Sequence, residues 1–179
     1  VASTIFYFDK KIMIALSEAI VQAAESKVGI RESGGNNKGA ALQPFFDADA
    51  YDPNGSKPGD DGYAWCAAFV CWCCQVALAG RTVTFKRPTT PGAWDFERWC
   101  REQDDSVVLK KPAGKDIRRG DIVILTISDI TIAAGPPDAS GYFPTIEGNT
   151  NEAGSREGDG VYKKRRHLSQ VRSRIRFNA

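Results

Sequence analysis

Five cysteines and one histidine are the residues of this 179-residue chain best suited to nucleophilic chemistry. Cys66 stands between a turn-rich stretch and the small, apolar run 64–79. At the head of a helix, a thiol meets N–H groups without intrahelical partners and the positive end of the macrodipole, which favours the thiolate and lowers the pKa. Cys71, Cys73 and Cys74 fall deeper in the same run and read as small core hydrophobes. Their closeness in one helix does not suit bridge geometry, and the total is odd, so no disulfide framework is expected and a reducing compartment at synthesis follows. The single imidazole, His167, excludes a three-His zinc centre. It lies in Lys163-Lys164-Arg165-Arg166-His167, reads as a solvated surface residue, and nothing in the pattern delivers it to Cys66. With no CxxC pair spaced for zinc, no metal or cofactor is expected.

The elements that must position Cys66 can be read from periodicity. Ile12, Ala15, Leu16, Ala19, Ile20, Ala23 and Ala24 give a helix over 11–28. Clusters such as Gly34-Gly35-Asn36-Asn37, Asp52-Pro53-Asn54-Gly55 and Pro58-Gly59-Asp60-Asp61-Gly62 predict a long loop over 33–62. The run 64–79 is too long for a strand and ends at Gly80, a suitable residue to follow a helix. Thr90-Pro91 ahead of Trp94, Phe96, Trp99 and Cys100 predicts a third helix with Thr90 as its N-cap. After Pro112 the texture changes to β-branched runs at 121–127, 130–134, 142–146, 160–164 and 171–177. Helices followed by a meander of strands predict an α+β fold with an antiparallel sheet. One domain over 1–179 follows, its helical part about 10–104 and its β part about 118–178.

Hydrophobic residues at 42% and charged residues at 26% are those of a globular chain, which excludes a disordered or low-complexity protein. No apolar run approaches the length needed to span a bilayer, so no membrane partner is expected. Ile12 to Leu16 after Lys10-Lys11 is like the start of a signal peptide, but Glu18 interrupts it and the helical pattern continues. Synthesis in the cytoplasm without a visible signal peptide follows. A net charge of +2 gives no strong pull toward nucleic acid. Residues 156–179 carry eight basic and two acidic side chains, and partial alternation with Val171, Ile175 and Phe177 assigns them to the outward face of a strand pair.

The order of turn-rich loop, Trp65-Cys66-Ala67-Ala68-Phe69-Val70, Arg119-Gly120-Asp121-Ile122-Val123 and Ile146-Glu147-Gly148-Asn149-Thr150-Asn151 resembles the CHAP family. These are cysteine- and histidine-dependent amidohydrolases/peptidases of the papain-like NlpC-type superfamily. Val28-Gly29-Ile30-Arg31-Glu32 with Gly35-Asn36-Asn37 is similar to the segment preceding the nucleophile, so the likeness runs from about 12 to 177. The resemblance implies a papain-like fold, with N-terminal helices packed on a C-terminal antiparallel sheet, and peptidoglycan as partner and substrate. It implies Cys66 as nucleophile, Glu147 and Asn149 as residues that orient the base and shape the oxyanion site, and Trp65, Asn36 and Asn37 beside the substrate. Two apart on a strand, Glu147 and Asn149 would share a face; the competing reading is a turn at Gly148-Asn149.

One position departs from the pattern. The family's histidine falls at Asp129, in Ser128-Asp129-Ile130-Thr131-Ile132. An imidazole accepts the thiol proton and returns it to the leaving amine. A carboxylate instead opposes a second negative charge and is a poor base at its reference pKa of about 3.9. Asp129 reads as a replacement made to silence the site, as a natural loss, or as an offset of register. The implied function is thus a peptidoglycan amidase or endopeptidase, impaired as the sequence stands, that would act at the wall after lysis or secretion. The alternative is a non-catalytic pseudoenzyme or module binding wall peptide or a protein partner, such as an immunity or delivery protein. Trp65, Trp72, Trp94 and Trp99 would offer aromatic contacts there, although helical tryptophans more often belong to the core.

Overall fold

The run 64–79 has no polar face, and a helix apolar on every side is stable only when enclosed. The computed structural model of the protein, which describes residues 14–51, 62–111 and 116–178, places it at the centre. Here it is α3 (Cys66–Leu78), with nearly all its residues buried. α1 (Leu16–Glu25) packs Ile20, Val21 and Ala24 toward it. α2 (Gln43–Asp49) closes another side with Phe45 and Phe46.

The helices cover one face of a six-stranded antiparallel sheet of order β1-β6-β2-β3-β4-β5. Its strands are β1 (Val107–Lys110), β2 (Ile122–Leu125), β3 (Ile130–Ala133), β4 (Tyr142–Thr150), β5 (Gly160–His167) and β6 (Val171–Phe177). Side chains alternate across β2: Ile122 and Ile124 join the helical core, while Val123 and Leu125 meet Ala133 and Phe143 behind the sheet. Gly120 sits where α1 crosses the start of β2. A Cβ there would fall 2.5 Å from the Ser17 backbone, so only glycine lets the two elements touch.

The α+β class and the five predicted strands stand, and several boundaries are corrected. The helix predicted over 11–28 is α1, capped at Ala15; positions 11–13 lie outside the described residues. The predicted loop 33–62 contains α2, which Pro44 starts and the buried Phe45-Phe46 pair holds. Its turn signals at 52–61 lie outside the described residues. Thr90 is not a helix cap: α4 (Asp95–Arg101) begins after Trp94, and the Thr90 hydroxyl takes the Gly92 N–H in a local turn. The edge strand β1 was not predicted. The basic C-terminal stretch is not simply an outward face, because Arg166 and Arg174 are buried in ion pairs. Among the described residues no helix is long and apolar enough to cross a membrane.

Candidate active site

Cys66 is the first residue of α3, and two structural devices bring the sheet to it. The first is the β2–β3 hairpin. Leu125 N–H donates to the Asp129 carbonyl across a three-residue turn ending at Ser128, whose φ of 59° is left-handed. A turn followed by such a residue is a standard route back into an antiparallel partner. It sets Asp129 at the mouth of β3, against the thiol. The second is Gly148 on β4. A Cβ there would come within 2.7 Å of the Phe69 side chain, so the strand's missing side chain lets it lie against the first turn of α3.

Beside Gly148 the strand is irregular. The β4–β5 register shifts between Glu147 and Thr150, and Asn149 takes a left-handed φ of 57°. Simple alternation therefore does not relate Glu147 to Asn149, which corrects the shared-face expectation. Nor do they form a free turn, since both lie within β4 and are buried. Asparagine is among the few non-glycine residues that tolerate this conformation, and such strain clusters at functional positions.

The four residues expected to carry chemistry, Cys66, Asp129, Glu147 and Asn149, are all buried. Arg166, which sequence reasoning missed, joins them from β5. Its Nε and Nη2 donate to the two Glu147 carboxylate oxygens at 2.8 and 2.6 Å, and the Thr145 hydroxyl donates to the first of these at 2.6 Å. Arg166 Nη2 also stands 3.7 Å from Asp129 Oδ2, an ion pair without hydrogen-bond contact. Asp129 Oδ1 accepts the Ile130 N–H at 2.8 Å. Two buried carboxylates require a neighbouring cation, and this was the one signal available in the sequence. It does not say which of Lys163, Lys164, Arg165 or Arg166 turns inward.

Burial reverses the helix-start expectation for Cys66, while Asp129 acts in the direction expected of a carboxylate. Burial pushes its thiol well above the ordinary range, and the Asp129 charge pushes it further. The backbone N–H groups of Ala67 and Ile130 pull the other way without overcoming burial. The start of the helix therefore does not produce a thiolate here. Burial, helped by the Glu147 charge, also lifts the Asp129 carboxyl to about 7, against the lowering influence of the Ile130 N–H, Cys66 and Arg166. The other cysteines are free and buried, and burial raises each of their thiols as well.

The remaining candidates divide. Trp65 is corrected: it is fully buried and stacks on Phe45, with ring centroids 5.6 Å apart, so its indole is core rather than a substrate contact. Its Nε1–H donates to Glu32 Oε1 at 2.9 Å, and Glu32 Oε2 accepts the Asn37 N–H at 2.8 Å. Asn37 is thus buried in the support of Trp65. Asn36 is exposed and lines a cavity of ≈ 520 Å³ with Glu32, Asn151, Glu152, Asp159 and Tyr162. His167 ends β5 opposite Tyr142, whereas Glu147 lies opposite Tyr162, a separation of about 17 Å along β4. The His167 ring contacts the Ser169 hydroxyl and the Ser140 carbonyl oxygen, and it caps the short helix Leu168–Gln170. Among the described residues no group of side chains is arranged to hold a metal ion.

Comparison of the chain with family models, with curated proteins and with solved structures gave no match. The site's chemistry therefore rests on its own geometry.

Proposed function

We propose that the protein is a cysteine amidohydrolase/peptidase scaffold of the papain-like CHAP type, directed at an amide of peptidoglycan and impaired because Asp129 stands where an imidazole is required. One observation carries this reading. Among the described residues, the buried side-chain atoms lacking any hydrogen-bond partner are Asp129 Oδ2 and the two amide atoms of Asn149. Orphaned buried polar groups are rare and call for an explanation. Here they belong to the positions expected to handle a proton and an oxyanion. An amide substrate offers what they lack, a donor and an acceptor in one planar group.

In this reading Cys66 attacks the carbonyl carbon. Residue 129 takes the thiol proton and returns it to the leaving amine, and Glu147 orients the base when it is an imidazole. Asn149 Nδ2 and the Cys66 backbone N–H donate to the developing oxyanion. A raised thiol pKa and a carboxylate base both oppose the first step, so turnover on purified peptidoglycan is expected to be weak or absent. Asp129→His should raise amine release from that substrate by about 10²–10⁴-fold, the usual worth of a positioned acid–base group. A folded Asp129→His protein that gains nothing would remove the hydrolase assignment.

A second reading is favoured by the same burial of the thiol. A protein whose Cys66 is not ionised still holds a polar site suited to retaining a wall peptide or protein partner without cutting it. Co-sedimentation with insoluble peptidoglycan, undiminished by Cys66→Ser and joined to an inactive Asp129→His variant, would select this reading.

A further inference from the structure

We propose that Arg166 is the positioning residue of this site: by clamping Glu147 in a two-point pair it occupies both oxygens of that carboxylate and leaves Asp129 as the carboxyl with an oxygen open to trade a proton with Cys66. The inference rests on the reading of Cys66 and Asp129 as the reacting pair, and extends it to a residue outside the sequence motifs.

The geometry separates the two carboxyls. Glu147 Oε1 accepts from Arg166 Nε and the Thr145 hydroxyl, and Oε2 accepts from Arg166 Nη2, so both oxygens are engaged by donors that do not leave. Asp129 has one oxygen engaged, by the Ile130 N–H, and the other, Oδ2, without a hydrogen-bond partner. The charged and titratable groups facing Asp129 are Cys66 from α3, Glu147 from β4 and Arg166 from β5. Of the four consecutive cations on β5, only Arg166 is buried. Its planar fork can meet both oxygens of a carboxylate, which an ammonium cannot.

The proton step then balances within the pair. The Cys66 S–H bond breaks, an O–H bond forms at Asp129 Oδ2, and one negative charge passes from oxygen to sulfur. Arg166 keeps its charge throughout. The pair's total charge does not change, so no additional ion is buried. The reverse transfer returns the thiol and the carboxylate.

The test is a titration of the full chain carrying ¹³C-labelled aspartate and glutamate carboxyls, with alkylation of Cys66 by iodoacetamide followed by mass spectrometry across the same pH range. In the unsubstituted protein the Asp129 signal should titrate well above the ordinary carboxyl range. Arg166→Gln leaves Glu147 unpaired beside Asp129. The Asp129 midpoint should then rise by at least one pH unit, and Cys66 alkylation at neutral pH should fall several-fold. Arg166→Lys should recover part of the shift. The double variant Arg166→Gln with Glu147→Gln should return the midpoint to within about half a unit of its starting position, and it keeps the test alive if the single variant does not fold. An unchanged Asp129 midpoint in folded Arg166→Gln would overturn the proposal. A negative result in the Asp129→His amidase assay removes the hydrolase reading and leaves these titrations untouched, so the two failures are distinguishable.

Discussion

Two clusters of carboxylates and arginines on the sheet, one partly and one wholly buried, are built differently. At the start of β2, Asp121 accepts both Arg176 Nε and Nη2 at 2.7 Å and the Arg118 N–H at 2.8 Å. Arg174 reaches Asp121 and pairs with Asp116, whose charge balances the second guanidinium. Asp116 and Asp121 face Arg174 and Arg176, with Arg118 also 3.7 Å from Asp116, and among the described residues no fully buried side-chain atom of this cluster lacks a hydrogen-bond partner. At the head of α3, Asp129 and Glu147 share one arginine, and Asp129 Oδ2 is unsatisfied. Similar residue types thus give a closed clamp in one place and an unbalanced cluster with an unsatisfied carboxyl oxygen in the other. Complete pairing is what a structural cluster needs, and an unpaired buried polar atom is what the proposed function has to explain.

Breaking the closed cluster should cost the most. Arg174→Leu leaves the fully buried Asp121 with less compensation and is expected to lower unfolding free energy by about 3–5 kcal/mol, read from urea denaturation. Asp129→Asn removes an unsatisfied buried carboxyl and should leave stability unchanged or improved; a loss as large as that of Arg174→Leu would erase the distinction.

The next contrast concerns pH. Asp129 ordinarily titrates near 3.8 and in the folded protein near 7, so the unfolded chain releases this proton first. The folded state then binds more protons between those values, and stability falls as pH rises from about 4 to about 7. The full effect is on the order of 4 kcal/mol at one pKa unit per 1.4 kcal/mol. Asp129→Asn should flatten this part of the stability profile, and a slope that survives the substitution would assign it to another group. The smallest effect is at His167. Replacing it with alanine should cost no more than about 1 kcal/mol, through the lost cap on Leu168–Gln170. It should leave both Cys66 alkylation and Asp129→His activity as they were, because its partners lie at the other end of β4.

How much of this was readable beforehand follows from where the information resides. β2 and β3 are runs of Ile and Val, whose preference for strands is local, and both appeared where expected. α3 was legible because no other element accommodates so long an apolar run. α2 was hidden by its shortness and by the turn residues around it, and β1 because four residues at a sheet edge carry little pattern. Within the site, Cys66, Asp129 and Glu147 were found by position along the chain, and the structure brings them together. Their acidities were not legible, since burial outweighed the helix start at Cys66. Arg166 was invisible for a related reason: four cations in a row share one local chemistry, and only the register of β5 on β4 turns one of them inward.

Gly148 gives the site a further property. The seam between β4 and the first turn of α3 is as thin as a backbone and a phenyl ring allow, and Cys66 belongs to that same first turn. A single methyl group at this position is a wedge driven at Phe69. It must push the helix off the strand or the strand off the helix, and the turn that carries Cys66 moves with whichever gives way. A residue that carries no side chain at all thus fixes how closely the cysteine's helix can sit on the sheet.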